Sequence, residues 1–162
     1  MPRIGITGHI GLSSATAEMV SDALRRELRS YPEPHGITCL ARGADQLFAR
    51  AVIAVGGTFE VILPAPDYRD AVLAVEHRRE FDDLLTRATS VTRMPFVESS
   101  PVAYRAANQE LLRRSALLFA VWDGTRSGRI GETGEVVGEA RARRVPVHVV
   151  WPANSHRVPV PA

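Results

Sequence analysis

The chain has no lysine: all 20 of its basic residues are arginine. A phosphate-binding loop of the G-x-x-x-x-G-K-[ST] type is therefore excluded, and any contact to an anion must come from Arg, His, a hydroxyl or a backbone N–H. There is one cysteine, Cys39, so no internal disulfide can form, and a reducing cytoplasmic setting is expected. Its neighbours Ile37, Thr38 and Leu40 mark it as a buried thiol rather than a nucleophile. No apolar run approaches the ~20 residues that cross a bilayer, and the start lacks the apolar core of a signal peptide. No membrane partner is expected. Aromatics make up 6% of the chain and the net charge is +2, which provides few stacking platforms and little field for nucleic acid. Zinc-type Cys/His spacings, a G-x-S-x-G elbow and a carboxylate cluster are all missing, so neither a metal nor a resident cofactor is called for.

What the chain does have is the composition of an ordinary soluble domain, 45% hydrophobic and 23% charged over 162 residues. A single domain of this size buries roughly two thirds of the surface its unfolded chain exposes. Short β-rich runs at 3–7, 37–40, 59–63, 90–93, 117–122 and 147–151 alternate with helical patterns at 15–30, 45–55, 70–87, 104–114 and 133–143. This alternation predicts one α/β domain over 1–152: a Rossmann-like, doubly wound, mainly parallel sheet of about six strands with helices on both faces. Residues 153–162 read as a frayed C-terminal tail.

Such sheets bind ligands beyond the carboxyl ends of their strands, where helix N-termini offer unpaired N–H groups. After the first strand, Gly8 and Gly11 let the backbone approach a phosphate and the following serines cap a helix; a simple tight turn explains them too. His9 between them is a ligand contact or a surface residue. After the second strand come Arg42, a phosphate partner, Gly43, a point of close backbone approach, and Asp45. Asp45 reads equally as a helix cap and as a contact to a ligand hydroxyl. The third strand exits through Pro64 to Tyr68, which either stacks on a base or packs. Glu76 to Glu80 reads as a solvated face or as a substrate-facing segment. After the fifth strand, the run from Asp123 through Gly128, Arg129, Gly131, Glu132, Thr133 and Gly134 to Glu135 is the best anion cradle in the chain.

The stretch Ala41-Arg42-Gly43-Ala44-Asp45, followed by a helix, Gly56-Gly57 and Glu60-Val61-Ile62-Leu63-Pro64, resembles the core of the SLOG superfamily. That superfamily joins DNA-processing protein A to the LOG phosphoribohydrolases. The resemblance runs from Arg3 to Pro152 and is sharpest from Leu40 to Pro64. It implies a Rossmann-like fold that holds nucleotides or, in one branch, single-stranded DNA. It also implies phosphate contacts from Gly131 and Thr133, a sugar-hydroxyl contact from Asp123, and pairing through helices beside the site. The 70–87 helix is the candidate for a homodimer, although nothing in its pattern demands a partner. The hydrolytic members resemble P-G-G-x-G-T-x-x-E; here the motif reads G-E-T-G-E, lacks the proline, and sets Glu135 two residues after Thr133.

Three functions follow as expectations. The first is a sensor or binding module for a nucleotide or nucleotide-derived phosphate ligand. The second is hydrolysis of the N-glycosidic bond of a nucleoside 5′-monophosphate, with Glu135 or Glu132 serving the sugar and Arg42 or Arg129 the phosphate. The third is binding of single-stranded DNA.

Overall fold

A computed structural model describes residues 2–159. Six strands, β1 (Arg3–Gly8), β2 (His35–Thr38), β3 (Thr58–Leu63), β4 (Val91–Arg93), β5 (Leu117–Val121) and β6 (Val147–Val149), form one sheet. Their order is β4-β3-β2-β1-β5-β6, and every pair is parallel. Helices α1 (Ser14–Leu28), α2 (Ala44–Ala54), α3 (Tyr68–Val72), α4 (Val75–Thr86), α5 (Pro101–Arg114) and α6 (Thr133–Ala142) make the crossovers. The expected α/β architecture is the one found.

The two faces are written in the strand alternation. Ile4 and Ile6 of β1 and Phe119 and Val121 of β5 pack with Leu24, Phe48 and Phe81 from α1, α2 and α4. The opposite residues, Ile37, Ile62 and Leu118, pack with Leu111 of α5 and Val136 of α6. Strands buried on both faces read as continuous apolar runs, as these do. The chain winds outward from β1 to β4, then returns through α5 to place β5 on the other side of β1. The crevice between the carboxyl ends of β1 and β5, where Gly8 pairs with Val121, is therefore the topological switch point.

Three expected segments fold differently. The second strand starts at His35 rather than Ile37, because His35 pairs with Arg3 and Thr58 and donates its N–H to Pro2 O. Leu40 leaves the strand with φ 55°. The single helix expected over 70–87 is two helices. Leu73 between them is extended (φ −119°, ψ 128°) and buried, and its carbonyl accepts a bond from Arg78 Nε. Finally, the tail expected to fray after Pro152 docks over residues 153–159. Ser13 N–H donates to His156 O, and Val158 N–H to Gly11 O. Among the described residues, no helix is long and apolar enough to cross a membrane.

Candidate functional site

The loops after β1, β2 and β5 meet at the switch point because glycines let them touch. Gly43 has φ +78°, and a Cβ there would meet His9 O at 2.6 Å and Ile10 O at 2.7 Å. Its lack of a side chain brings the start of α2 against the first loop, where Ala44 N–H donates to His9 O at 3.2 Å. A Cβ on Gly8 would meet the Ala44 side chain at 2.4 Å. These two glycines thus serve loop-to-loop packing. Gly11 offers its carbonyl to Val158.

Two chambers open on this junction. The first, of about 240 Å³, has Thr7, Cys39, Asp45, Tyr68, Tyr104 and Thr133 among its walls. The second, of about 430 Å³, is lined by His9, Thr125, Arg129, Glu132, Thr133 and Arg157. Gly8, Ile10, Gly131 and Thr133 border both, so they form one divided cleft in the size range of small-molecule sites.

The first chamber carries polar groups on largely buried residues. Thr7, Tyr68 and Thr133 are all at least nine-tenths buried, and their hydroxyls make no hydrogen bond to the described residues. The Asp45 carboxylate accepts the Ala41 N–H at 3.2 Å. Burial pushes Asp45 up to about 7, against the hydrogen bonds from the Ala41 and Cys39 backbone. Its carboxyl group can therefore be either donor or acceptor near neutral pH. The Tyr68 ring is held edge-on to Tyr104, 6.0 Å between centroids, and lies 6.4 Å from Phe81. Burial raises the Cys39 thiol far above its ordinary value, so it is an inert wall. Pro64 adds to the same lining.

The second chamber is organised around Asp123. Thr125 donates to its Oδ1 through N–H at 2.9 Å and hydroxyl at 2.7 Å, and Arg157 Nη1 lies 3.4 Å from Oδ2. Burial opposes the charge on Asp123, yet the Thr125 donors and His9 hold its carboxyl well below the ordinary carboxylate range. Asp123 N–H donates to His9 Nε2 at 3.1 Å. Burial first, and Arg157 second, lower the pKa of His9 despite the attraction of Asp123. The lowered pKa favours the neutral ring at pH 7, and the same Nε2 lies 3.2 Å from Asp123 Oδ1.

The carboxylates expected to do chemistry are engaged by other groups of the chain. Glu132 folds back into its own loop, accepting from Ser127 N–H at 2.8 and 2.9 Å, from Gly128 N–H at 3.0 Å and from the Ser127 hydroxyl. Those bonds, the Ser127 hydroxyl foremost, lower its pKa despite the desolvation that opposes them. The N–H groups of Gly128 and Ser127 thus already hold an anion, one that belongs to the chain itself. Glu135 points to α5, with Arg105 Nε at 3.1 Å and Nη2 at 3.3 Å, outside both chambers. Arg42 is exposed and lines a separate hollow with Gly43 and His77. The first turn of α6, at Thr133, Gly134 and Glu135, has no side-chain cap, and a Cβ on Gly134 would meet the Thr125 carbonyl at 3.1 Å and Glu132 Oε1 at 3.4 Å. Gly131, at φ +83°, turns the chain into it. The structure thus brings together Gly8, His9, Asp45, Pro64, Tyr68, Asp123, Arg129, Gly131, Thr133 and Gly134 and separates Arg42 and Glu135 from them. Sequence reasoning missed Tyr104, Asn108, Thr7 and Arg157; only Thr7, at the end of the first strand, stood where the strand-end rule points.

No family model matches the chain, and no curated protein does. Among solved structures, DNA processing protein A from Streptococcus pneumoniae matches 92% of this chain and 50% of its own, with TM-score 0.70 and 17% identity. DNA processing protein A from Helicobacter pylori, described for its single-stranded DNA binding mode, matches 96% of this chain and 68% of its own, with TM-score 0.67 and 13% identity. The molybdenum cofactor binding protein from Rippkaea orientalis matches 91% and 75%, with TM-score 0.61 and 15% identity. The chain spans half the length of the pneumococcal structure. At these identities the likeness is one of fold, and this chain shares the Rossmann-like α/β fold of those structures.

Proposed function

We propose that the protein is a binding module or sensor for a nucleotide or nucleotide-derived phosphate ligand. The phosphate lies over the first turn of α6 and the base in the chamber of Tyr68 and Tyr104. The observation that carries this reading is the group of hydroxyls on Thr7, Tyr68 and Thr133, which line the cleft on largely buried residues and have no partners among the described residues. These hydroxyls are free to donate to or accept from a ligand in the cleft. The uncapped α6 terminus, with its positive dipole end, supports an anion beside them. Hydrolysis of an N-glycosidic bond has less support, because Glu132 and Glu135 are engaged by Ser127 and Arg105. That leaves Asp45 as the carboxylate of the first chamber. A cytoplasmic setting accords with the buried thiol. Pairing of two copies beside the site belongs to the same reading and is checked by light scattering.

The test is thermal stability against nucleoside mono-, di- and triphosphates, NAD, ADP-ribose and cyclic nucleotides. A ligand at a hundred times its dissociation constant stabilises by ~2.7 kcal/mol, which raises the melting temperature by roughly 5–10 °C. Gly131→Asp sets a carboxylate at the anion position and removes that rise while the unliganded protein still melts cooperatively. Should no member of the panel move the curve, and single-stranded DNA bind with a steep salt dependence, the DNA reading replaces this one.

A further inference from the structure

The residues after β6 return along the β1–α1 loop and hold Arg157 at the mouth of the larger chamber. Leu12 and Arg157 form an antiparallel bridge. Ser13 N–H donates to His156 O at 3.2 Å and Val158 N–H to Gly11 O at 3.1 Å. His156 N–H donates to Oγ1 of the fully buried Thr16 at 2.7 Å. With its neighbours on both sides anchored, the backbone of Arg157 is fixed while its side chain is 48% exposed.

That side chain is loosely held. Its contact is Asp123 Oδ2 at 3.4 Å, whereas the other oxygen of Asp123 keeps both Thr125 donors. Asp123 thus stays hydrogen-bonded when the guanidinium turns away. The chamber needs a cation for a phosphate, and the candidates are few. His9 favours its neutral form, lysine is absent from the chain, and Arg42 lies outside the cleft. Arg129 and Arg157 are the arginines on its wall. On the same wall, the largely buried Thr133 presents a hydroxyl without a partner among the described residues, at the start of α6.

We propose that Arg157 is the residue that recognises the ligand's phosphate: it releases Asp123 and sets its planar fork on a phosphate monoester seated on the α6 first turn and the Thr133 hydroxyl. The C-terminal segment is then part of the binding site, and it selects phosphorylated over unphosphorylated ligand. This inference rests on the reading of the cleft as a phosphate-ligand site.

The experiment titrates the full chain and its Arg157→Ala and Arg157→Lys variants by calorimetry. The probes are inorganic phosphate, the four common ribonucleoside 5′-monophosphates and their four nucleosides. Loss of a bidentate charged contact predicts a roughly tenfold to hundredfold weaker monophosphate affinity in Arg157→Ala. Nucleoside affinity stays within about twofold of wild type, and Arg157→Lys, with charge but no fork, recovers part of the loss. Inorganic phosphate loses affinity by the same factor as the monophosphates, and a nucleotide that binds more tightly than free phosphate identifies the source of the group. The melting temperature of unliganded Arg157→Ala, unchanged from wild type, shows that the variant is folded. Equal monophosphate affinity in wild type and Arg157→Ala overturns the inference, and so does an equal loss for nucleoside and monophosphate, which would make the segment a structural support. If wild type itself binds neither phosphate nor any monophosphate, the phosphate-ligand reading fails first and this one with it.

Discussion

Thr133 and Asp45 are both buried at the cleft, and they carry opposite expectations for stability. Thr133→Val keeps the shape and removes a hydroxyl that has no partner, so the unliganded protein should melt at or slightly above the wild-type temperature while ligand affinity falls several-fold. A loss of stability in Thr133→Val would mean that the hydroxyl is already satisfied. Asp45 has a folded-state pKa of about 7, above its ordinary 3.8, so the folded chain binds a proton that the unfolded chain has released. The stability this contributes is complete below the unfolded value and is lost as pH rises to about 7. The loss is on the order of 4 kcal/mol at the full shift. Urea melts of Asp45→Asn from pH 4 to 8 should lack that decline; a parallel decline in the variant would assign it to another group. Both residues were legible in the sequence because each follows a strand end at a helix start. Arg157 was not, since it reaches the cleft from a proline-rich stretch without periodicity. The direction of Glu132 and Glu135 was equally hidden: whether a carboxylate at a helix start faces the cleft, its own loop or the next helix depends on rotation about the helix axis.

At the scale of elements, local chemistry decided where helices begin and tertiary pairing decided where strands do. Helix α5 starts at Pro101, with Ser100 as its cap: the Ser100 hydroxyl accepts the Ala103 N–H at 3.1 Å. The sequence reading placed this start three residues later, at Tyr104, although Ser followed by Pro at the first helical position is a start signal. Ser100→Ala should cost about 1 kcal/mol, or roughly 2–4 °C in melting temperature at this chain length, and Ser100→Asp should restore it. An unchanged melting curve for Ser100→Ala would show that water replaces the cap. The break between α3 and α4 left no such mark in the sequence, for Ala74 and Val75 continue a helical pattern. Two tertiary features produce it: Leu73 is drawn into the core beside Tyr68 and Phe81, and Arg69 forks onto Asp82 with 2.7 and 2.8 Å bonds. The strand β2 was displaced by the same kind of cause. Gly36 and His35 carry no strand signal, yet β1 and β3 pair with them.

Across the whole molecule, the cleft at the carboxyl ends of the strands has a counterpart at their amino ends. Glu60 of β3 is buried and accepts from Arg3 of β1 at 3.0 Å and from Arg114 at the end of α5 at 2.9 Å. It also lies 2.7 Å from His35 Nε2 of β2. One carboxylate thus ties three neighbouring strands and the helix that carries the chain across the sheet to β5. Helix α5 leads into β5, so this cluster anchors the crossover at the end of the sheet opposite the crevice. Burial works against its charge, but Arg114, His35 and Arg3 together lower its pKa below the ordinary 4.5. For a carboxylate with a depressed folded pKa, the stability is present above the unfolded value and is lost as pH falls through that value towards the folded one. That is the opposite slope from Asp45, so the two groups bound a stability maximum on the acid side of neutrality. Glu60→Gln takes a buried charged partner from Arg3, which is 42% exposed, and from Arg114, which keeps Glu110, and should cost about 1–3 kcal/mol at pH 6, or roughly 2–12 °C. The penalty should shrink as pH falls below the ordinary 4.5 towards the lowered folded value. Melts of wild type and Glu60→Gln across pH 3 to 7 check this: a penalty that stays constant down to pH 3 would reduce Glu60 to a packing residue and leave the acid limb without its cause.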